Sequence, residues 1–199
     1  MRKDAPGPAS GFSLVESMIV VAILAILAGL ALPGFQDLLR RQRATTAMHQ
    51  IATQLAQARN TAISRRIPVT ACPSLGDDRC RPEPDWSAGW LLYLDPTRSP
   101  QPRSTDDILR QERQPLHDSV RVSASAGRVR VRYQPDGRSG GNNLTLRVCS
   151  AGTLHGEVIV NNVGRVRTRR PGPGAPCPPP SAARAGHPAD SLTRPGPRR

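Results

Sequence analysis

The sequence predicts an α+β protein in which a long N-terminal helix, membrane-spanning in its first half, packs on a small antiparallel β-sheet head. Three observations carry this. Leu14 to Leu32 is one long apolar run interrupted by a single acid, Glu16. Beyond Pro33, apolar side chains recur at three- and four-residue steps as far as Ile63. After Pro68 the pattern changes to short β-like runs divided by Gly, Pro and Asp.

The apolar run comes first. At about 1.5 Å per residue its 19 residues make a helix of roughly 28 Å, long enough to cross a bilayer core. It exceeds the apolar region of a secretory signal peptide and has no A-x-A site after it. Glu16 is its informative residue, because a carboxylate within a membrane helix costs on the order of 2.5–3.5 kcal/mol and normally has a cationic partner. Gly11-Phe12-Ser13-Leu14-Val15-Glu16, preceded by Arg2 and Lys3, resembles the type IV prepilin processing motif. The resemblance implies that a prepilin peptidase cuts after Gly11 and that the new amine of Phe12 is methylated. It also implies that this amine neutralises Glu16 of a neighbouring pilin in a fibre. Arg40, Arg41 and Arg43 after the span would by charge counting put the C-terminus inside; the processing motif and the cysteine-bearing head instead place the head in the periplasm, with the span in the inner membrane.

Ala44, Ala47, Met48, Ile51, Ala52, Leu55, Ala58, Ala62 and Ile63 then describe an amphipathic helix. Gln50, Gln54, Gln57 and Asn60 lie off that stripe, and Pro68 disfavours helix at Ile67.

In the head, strands are expected at Val69 to Cys72, Trp90 to Asp95, Ser119 to Ser123, Arg128 to Tyr133, Leu144 to Cys149, Glu157 to Val160 and Arg165 to Thr168. Asp136-Gly137 and Gly140-Gly141-Asn142-Asn143 are turn signals that suggest a hairpin between the fourth and fifth runs. Pro96, Pro100, Pro102 and Pro115 exclude long regular elements from the intervening loop. From Pro171 the composition collapses to Pro, Gly, Ala, Ser and Arg, which reads as a disordered tail apart from the reach of Cys177.

The domain plan is therefore a leader over 1–11, a transmembrane or fibre-core helix over 12–34, an amphipathic helix over 35–67, a β-rich head over 68–170 and a tail over 171–199. Cys72, Cys80, Cys149 and Cys177 lie outside the apolar run and should pair in an oxidising periplasm. Spacing suggests Cys72 with Cys80 and Cys149 with Cys177, although four cysteines allow three connectivities. No C-x-x-C pair, clustered histidines or nucleophile set points to a metal, a cofactor or an enzyme, and Asp77-Asp78 and Asp106-Asp107 read as turn acids.

Net charge is +13, and from Arg121 onward fourteen arginines face three acids. Such a block attracts polyanions. Two stretches concentrate it. In Arg128-Val129-Arg130-Val131-Arg132-Tyr133, strand alternation would line up three guanidinia about 6.6–6.8 Å apart. In Gly164-Arg165-Val166-Arg167-Thr168-Arg169-Arg170, it would align Arg165, Arg167 and Arg169. Tyr133-Gln134-Pro135-Asp136-Gly137-Arg138, with Val158 to Arg167, is similar to the C-terminal half of the GspH/FimT pseudopilins. The resemblance implies a pilin-like fold and a minor subunit of a type IV pilus or a type II secretion pseudopilus. In DNA-uptake members a G-R-x-R motif is implicated in DNA binding, and Gly164, Arg165 and Arg167 match it. The expected function is non-specific binding of extracellular double-stranded DNA for natural transformation, through Gly164, Arg165, Arg167, Arg169 and Arg170 with Arg128, Arg130 and Arg132. The alternative is a structural subunit for pilus or pseudopilus assembly without DNA binding.

Overall fold

The computed structural model describes residues 13–179 apart from 126, 142 and 173. Gly11, Phe12 and the tail from Pro180 lie outside the described residues.

Helix α1 (Leu14–Arg65) is continuous over 52 residues and passes through Pro33. The chain divides into two compact units, one ending at Leu39 and one beginning at Arg40. In the first, the described side chains from Ser13 to Leu38 are exposed, including Ile19, Leu24 and Leu30. An apolar surface of this length needs a bilayer or other helices around it.

The second unit holds the core. Ala44, Ala47, Met48, Ile51, Leu55, Ala58 and Ala62 of α1 are buried, while Ile63 at the end of the stripe is exposed. The helix ends as Arg66 adopts a left-handed backbone (φ 55°), two residues before Pro68. Two four-stranded antiparallel sheets follow. The first runs β3 (Ile108–Arg113), β2 (Gly89–Leu94), β1 (Val69–Pro73), β5 (Val131–Tyr133); the second runs β4 (Val120–Ala124), β6 (Leu144–Ser150), β7 (Thr153–Val160), β8 (Val166–Arg169). The inward side chains of both sheets, among them Val69, Trp90, Val131, Val122, Leu146 and Val158, join the helix stripe in one cluster. A smaller cluster of Cys72, Cys80, Leu91 and Tyr93 lies on the opposite face of the first sheet, so β2 is buried on both sides.

The structure corrects the sequence reading at four places. The run Arg128 to Tyr133 is a strand only over Val131–Tyr133, and it pairs with β1. It forms no hairpin with β6, which pairs with β4 and β7 in the other sheet. The turn at Gln134–Gly137 does close, with Gly137 N–H donating to the Gln134 carbonyl at 2.8 Å. The chain is then drawn away, because Ser139 and Gly140 N–H both donate to the Asn162 carbonyl in the β7–β8 turn. β3 arises inside the proline-bounded loop. Its sequence, Ile-Leu-Arg-Gln-Glu-Arg, alternates little in polarity, and pairing with β2 rather than burial makes it a strand. Gln54 is buried rather than solvent-facing: its Oε1 accepts the Trp90 indole N–H, and its Nε2 donates to Glu112 Oε1 at 2.8 Å. A polar side chain thus sits in the core with its hydrogen bonds made.

Candidate functional site

The glycine-arginine stretch folds around the turn between β7 and β8. Asn161 organises it: its carbonyl accepts from Gly164 N–H at 2.9 Å, its Oδ1 accepts from Arg165 N–H at 2.9 Å, and its N–H donates to the Arg165 carbonyl at 3.2 Å. Gly164 has φ +78°, which L side chains rarely adopt, and it is buried. A Cβ there would overlap the Gly137 carbonyl oxygen. That oxygen accepts from Arg59 Nε of α1 at 2.9 Å, and Ser139 Oγ donates to the Asn161 carbonyl at 2.7 Å. The two segments around Gly137 and Gly164 are therefore stitched together against the helix. Gly164 positions the arginines after it and is too buried to be a contact itself.

β8 is the open edge of the second sheet. Val160 pairs with Val166, Ile159 with Arg167 and Glu157 with Arg169, so Val166 turns toward the core and Arg167 and Arg169 turn outward. Arg165, Arg167, Arg169 and Arg170 are all exposed. They are not equivalent. Arg169 grips Glu157 through two nitrogens, Nε at 2.8 Å and a terminal amine at 2.5 Å. Its partner carboxylate is 9% exposed, so the pair is shielded on one side. The guanidinia of Arg165, Arg167 and Arg170 have no carboxylate partner among the described residues.

The row expected from Arg128, Arg130 and Arg132 does not form. Arg132 donates Nε to Asp95 Oδ2 at 2.7 Å, and Thr70 Oγ1 donates to the same oxygen at 2.8 Å. Arg130 donates to the Pro100 carbonyl at 2.8 Å. Arg128 donates to the carbonyls of Arg130 and Ser139, and its burial pulls its pKa below the usual arginine value. Only three residues of this stretch find ladder partners on β1, which leaves these guanidinia to satisfy loop carbonyls and one acid. All three are absorbed in holding the head together.

Arg147, Arg121 and Arg59 belong to neither of the two arginine-rich stretches, and the fold gives each of them a place beside the site. Arg147 and Arg121 sit on the outward face of β6 and β4, on the same side of the sheet as Arg167 and Arg169. Their placement depends on which strands become neighbours, although each was visible as an arginine between inward-facing apolar residues. Arg59 carried no signal, because its role depends on a carbonyl 78 positions away.

Glu16 lies exposed in the first turn of α1, while Gly11 and Phe12 fall outside the described residues. The cysteines pair as Cys72–Cys80 and Cys149–Cys177. The second bond sits beside a short extension of the β8 edge: Leu154 N–H donates to the Ala175 carbonyl at 2.9 Å, and Cys177 N–H to the Gly152 carbonyl at 2.8 Å. The arginine segment is thus held at one end by the Gly164 turn and at the other by a disulfide.

Comparison with known proteins fits this architecture. Residues 8–32 match the prokaryotic N-terminal methylation motif. Fimbrial protein Q of Moraxella bovis is 38% identical over 66 residues, 33% of this chain and 39% of that protein; a fimbrial protein of Pseudomonas aeruginosa is 45% identical over 64 residues, 32% of this chain and 42% of that protein. The chain thus spans about two fifths of the length of these relatives. Among solved structures, the type IV minor pilin FimU of Pseudomonas aeruginosa superposes with a TM-score of 0.53 at 16% identity, covering 65% of this chain and 90% of that one, which is a likeness of fold. The family described as type II transport protein GspH matches residues 47–164, more than half of the sequence, and the chain belongs to that family.

Proposed function

We propose that this chain is a minor subunit of a type IV pilus that binds extracellular double-stranded DNA without sequence preference and serves natural transformation. In this reading the apolar half of α1 anchors the precursor in the inner membrane with the head in the periplasm. A prepilin peptidase removes the leader after Gly11, and the methylated amine of Phe12 meets Glu16 of a neighbouring pilin as the subunit enters the fibre.

The observation that carries the DNA reading is the state of Arg165 and Arg167: exposed, on an open sheet edge, held at both ends, and free of carboxylates among the described residues. Guanidinia that stabilise the head are bonded to an acid or to backbone carbonyls, as Arg132 and Arg130 are; among the described residues those of Arg165 and Arg167 are bonded to neither. With Arg170 they offer three phosphate contacts, for a salt slope of about −2.7 and an affinity loss of roughly 40-fold between 50 and 200 mM salt. Such binding is weak for one subunit, and several copies on a fibre raise it by avidity.

The test is a mobility shift of duplex DNA by the full chain in neutral detergent. The shift weakens with salt, and Arg165→Ala with Arg167→Ala abolishes it while circular dichroism is unchanged. A double variant that shifts DNA like the parent refutes the site. In cells, deletion lowers transformation more than pilus number; loss of protein secretion with normal transformation would favour a structural subunit of the type II pseudopilus instead.

A further inference from the structure

The outer face of the second sheet carries arginines on three of its four strands. On β4, Val120, Val122 and Ala124 enter the core and leave Arg121 and Ser123 outside. On β6, Leu144, Leu146 and Val148 do the same and leave Thr145 and Arg147 outside. Register places Ser123, Arg147, Glu157 and Arg169 in one row across the sheet, and Thr145, Ile159 and Arg167 in the next. Arg121 lies two residues from Ser123 and so diagonal to Arg147. Asp85, bridged to Ser123 beside β4, brings a carboxylate-bearing residue to one end of the first row; among the outward side chains of the strands themselves four are arginines and one, Glu157, is an acid.

That acid is already engaged. Arg147 lies directly opposite Glu157, yet the carboxylate is held by Arg169. Arg147 Nε is shielded from solvent with no hydrogen-bond partner, and neither Arg147 nor Arg121 pairs with a carboxylate among the described residues. Guanidinia thus outnumber carboxylates on this face, which leaves a net positive field there. Their accumulation here is understandable if an anion completes the surface.

We propose that duplex nucleic acid lies across this face, with phosphate contacts running from Arg165 and Arg167 on the β8 edge through Arg147 to Arg121 on the β4 edge. The inference rests on the DNA-binding reading above and extends it to a second group of residues and to a choice of ligand form. Three strand spacings separate β4 from β8, roughly 14 Å. This is comparable with a major groove about 12 Å wide, so the two edges can meet phosphates of both strands. A single strand would need exposed aromatic rings for its bases. Trp86, Trp90, Tyr93 and Tyr133 are instead all buried. Glu157 limits the affinity by occupying Arg169, which keeps the complex reversible.

The test measures anisotropy of a labelled duplex of two helical turns with the full chain in neutral-detergent micelles. Arg121→Gln with Arg147→Gln weakens binding and lowers the salt slope by about 1.8, shrinking the loss between 50 and 200 mM salt about 12-fold. Glu157→Gln releases Arg169 and steepens the slope by about 0.9. Near-ultraviolet circular dichroism of the Trp86 and Trp90 rings, whose centroids are 6.5 Å apart, reports that each variant is folded. If the Arg121/Arg147 variant keeps the parent's affinity and slope while the Arg165/Arg167 variant loses binding, the edge acts alone and the extension is wrong. Equal affinity for a single strand overturns the duplex assignment. Displacement of the duplex when phosphatidylglycerol is added at matching phosphate concentration assigns the face to lipid and overturns it as well. A parent that binds no duplex removes the underlying reading, and a slope that grows in Glu157→Gln together with one that falls in the Arg121/Arg147 variant supports the whole.

Discussion

Gly164 lies so close to Gly137 that a methyl group on it would overlap the Gly137 carbonyl oxygen, the same oxygen to which Arg59 donates at 2.9 Å. Two turns far apart in sequence and one helix side chain therefore meet at a single peptide group. Gly164→Ala has to strain a positive φ, at about 1–3 kcal/mol, and also push the two turns apart. Gly152 has a similar φ of +76°, but a methyl group there would meet nothing within 4 Å. Thermal melts should show Gly164→Ala well below Gly152→Ala, with DNA binding falling in step; equal melting temperatures would mean that the contact does not matter.

Gln54 connects the helix to β2 and β3 through the Trp90 indole and Glu112. Gln54→Leu keeps the bulk but leaves a buried indole N–H without an acceptor, at a cost of about 1–3 kcal/mol. Gln57→Leu, on the exposed face, should stay within about 0.5 kcal/mol of the parent. Urea denaturation of the two variants measures the difference.

The Cys149–Cys177 bond closes 28 residues of chain and the Cys72–Cys80 bond closes 8. Loop-closure entropy gives about 3–4 kcal/mol for the first and about 2–3 for the second. Cys149→Ser with Cys177→Ser should therefore destabilise the head more than the other pair of replacements. It should also speed hydrogen exchange at the Leu154 amide, whose acceptor is the Ala175 carbonyl. Exchange unchanged at Leu154 would show that the strand pairing holds that segment without the bond.

Tyr93 and Tyr133 are the two tyrosines of the chain. Burial pushes Tyr93 up to about 12, with Asp95 adding to the shift, and burial pushes Tyr133 higher still. A raised pKa in the folded state means that the folded protein holds the proton more tightly than the unfolded chain. The resulting stability is complete below about pH 10 and is lost as pH rises through the interval up to the folded values. Absorbance of tyrosinate should stay low past pH 10 and then rise together with loss of near-ultraviolet dichroism; an ordinary titration centred near pH 10 in folded protein would contradict the burial.

Glu16→Gln removes the charge that the Phe12 amine is proposed to meet. Incorporation into fibres should fall while the precursor is still cleaved, as read by fibre immunoblots and by the mass of the mature N-terminus. Unaltered incorporation would show that this pairing is dispensable.

The helix and the inward positions of most strands were legible in the sequence because they follow from local periodicity: Ala44 to Ala62 on a 3.6-residue repeat, and Leu144, Leu146 and Val148 on a two-residue repeat. The arginine edge was legible too, since Gly164 and the alternation after it lie within a few residues of each other. Only the tertiary structure decided which arginines are available. Arg128, Arg130 and Arg132 look like Arg165, Arg167 and Arg169 on paper, yet the first group finds Asp95 and loop carbonyls, and the second finds a single acid, Glu157. Alternation dictates the face on which a side chain emerges, but its partner there comes from strands distant in sequence, and long-range pairing leaves no local periodic trace.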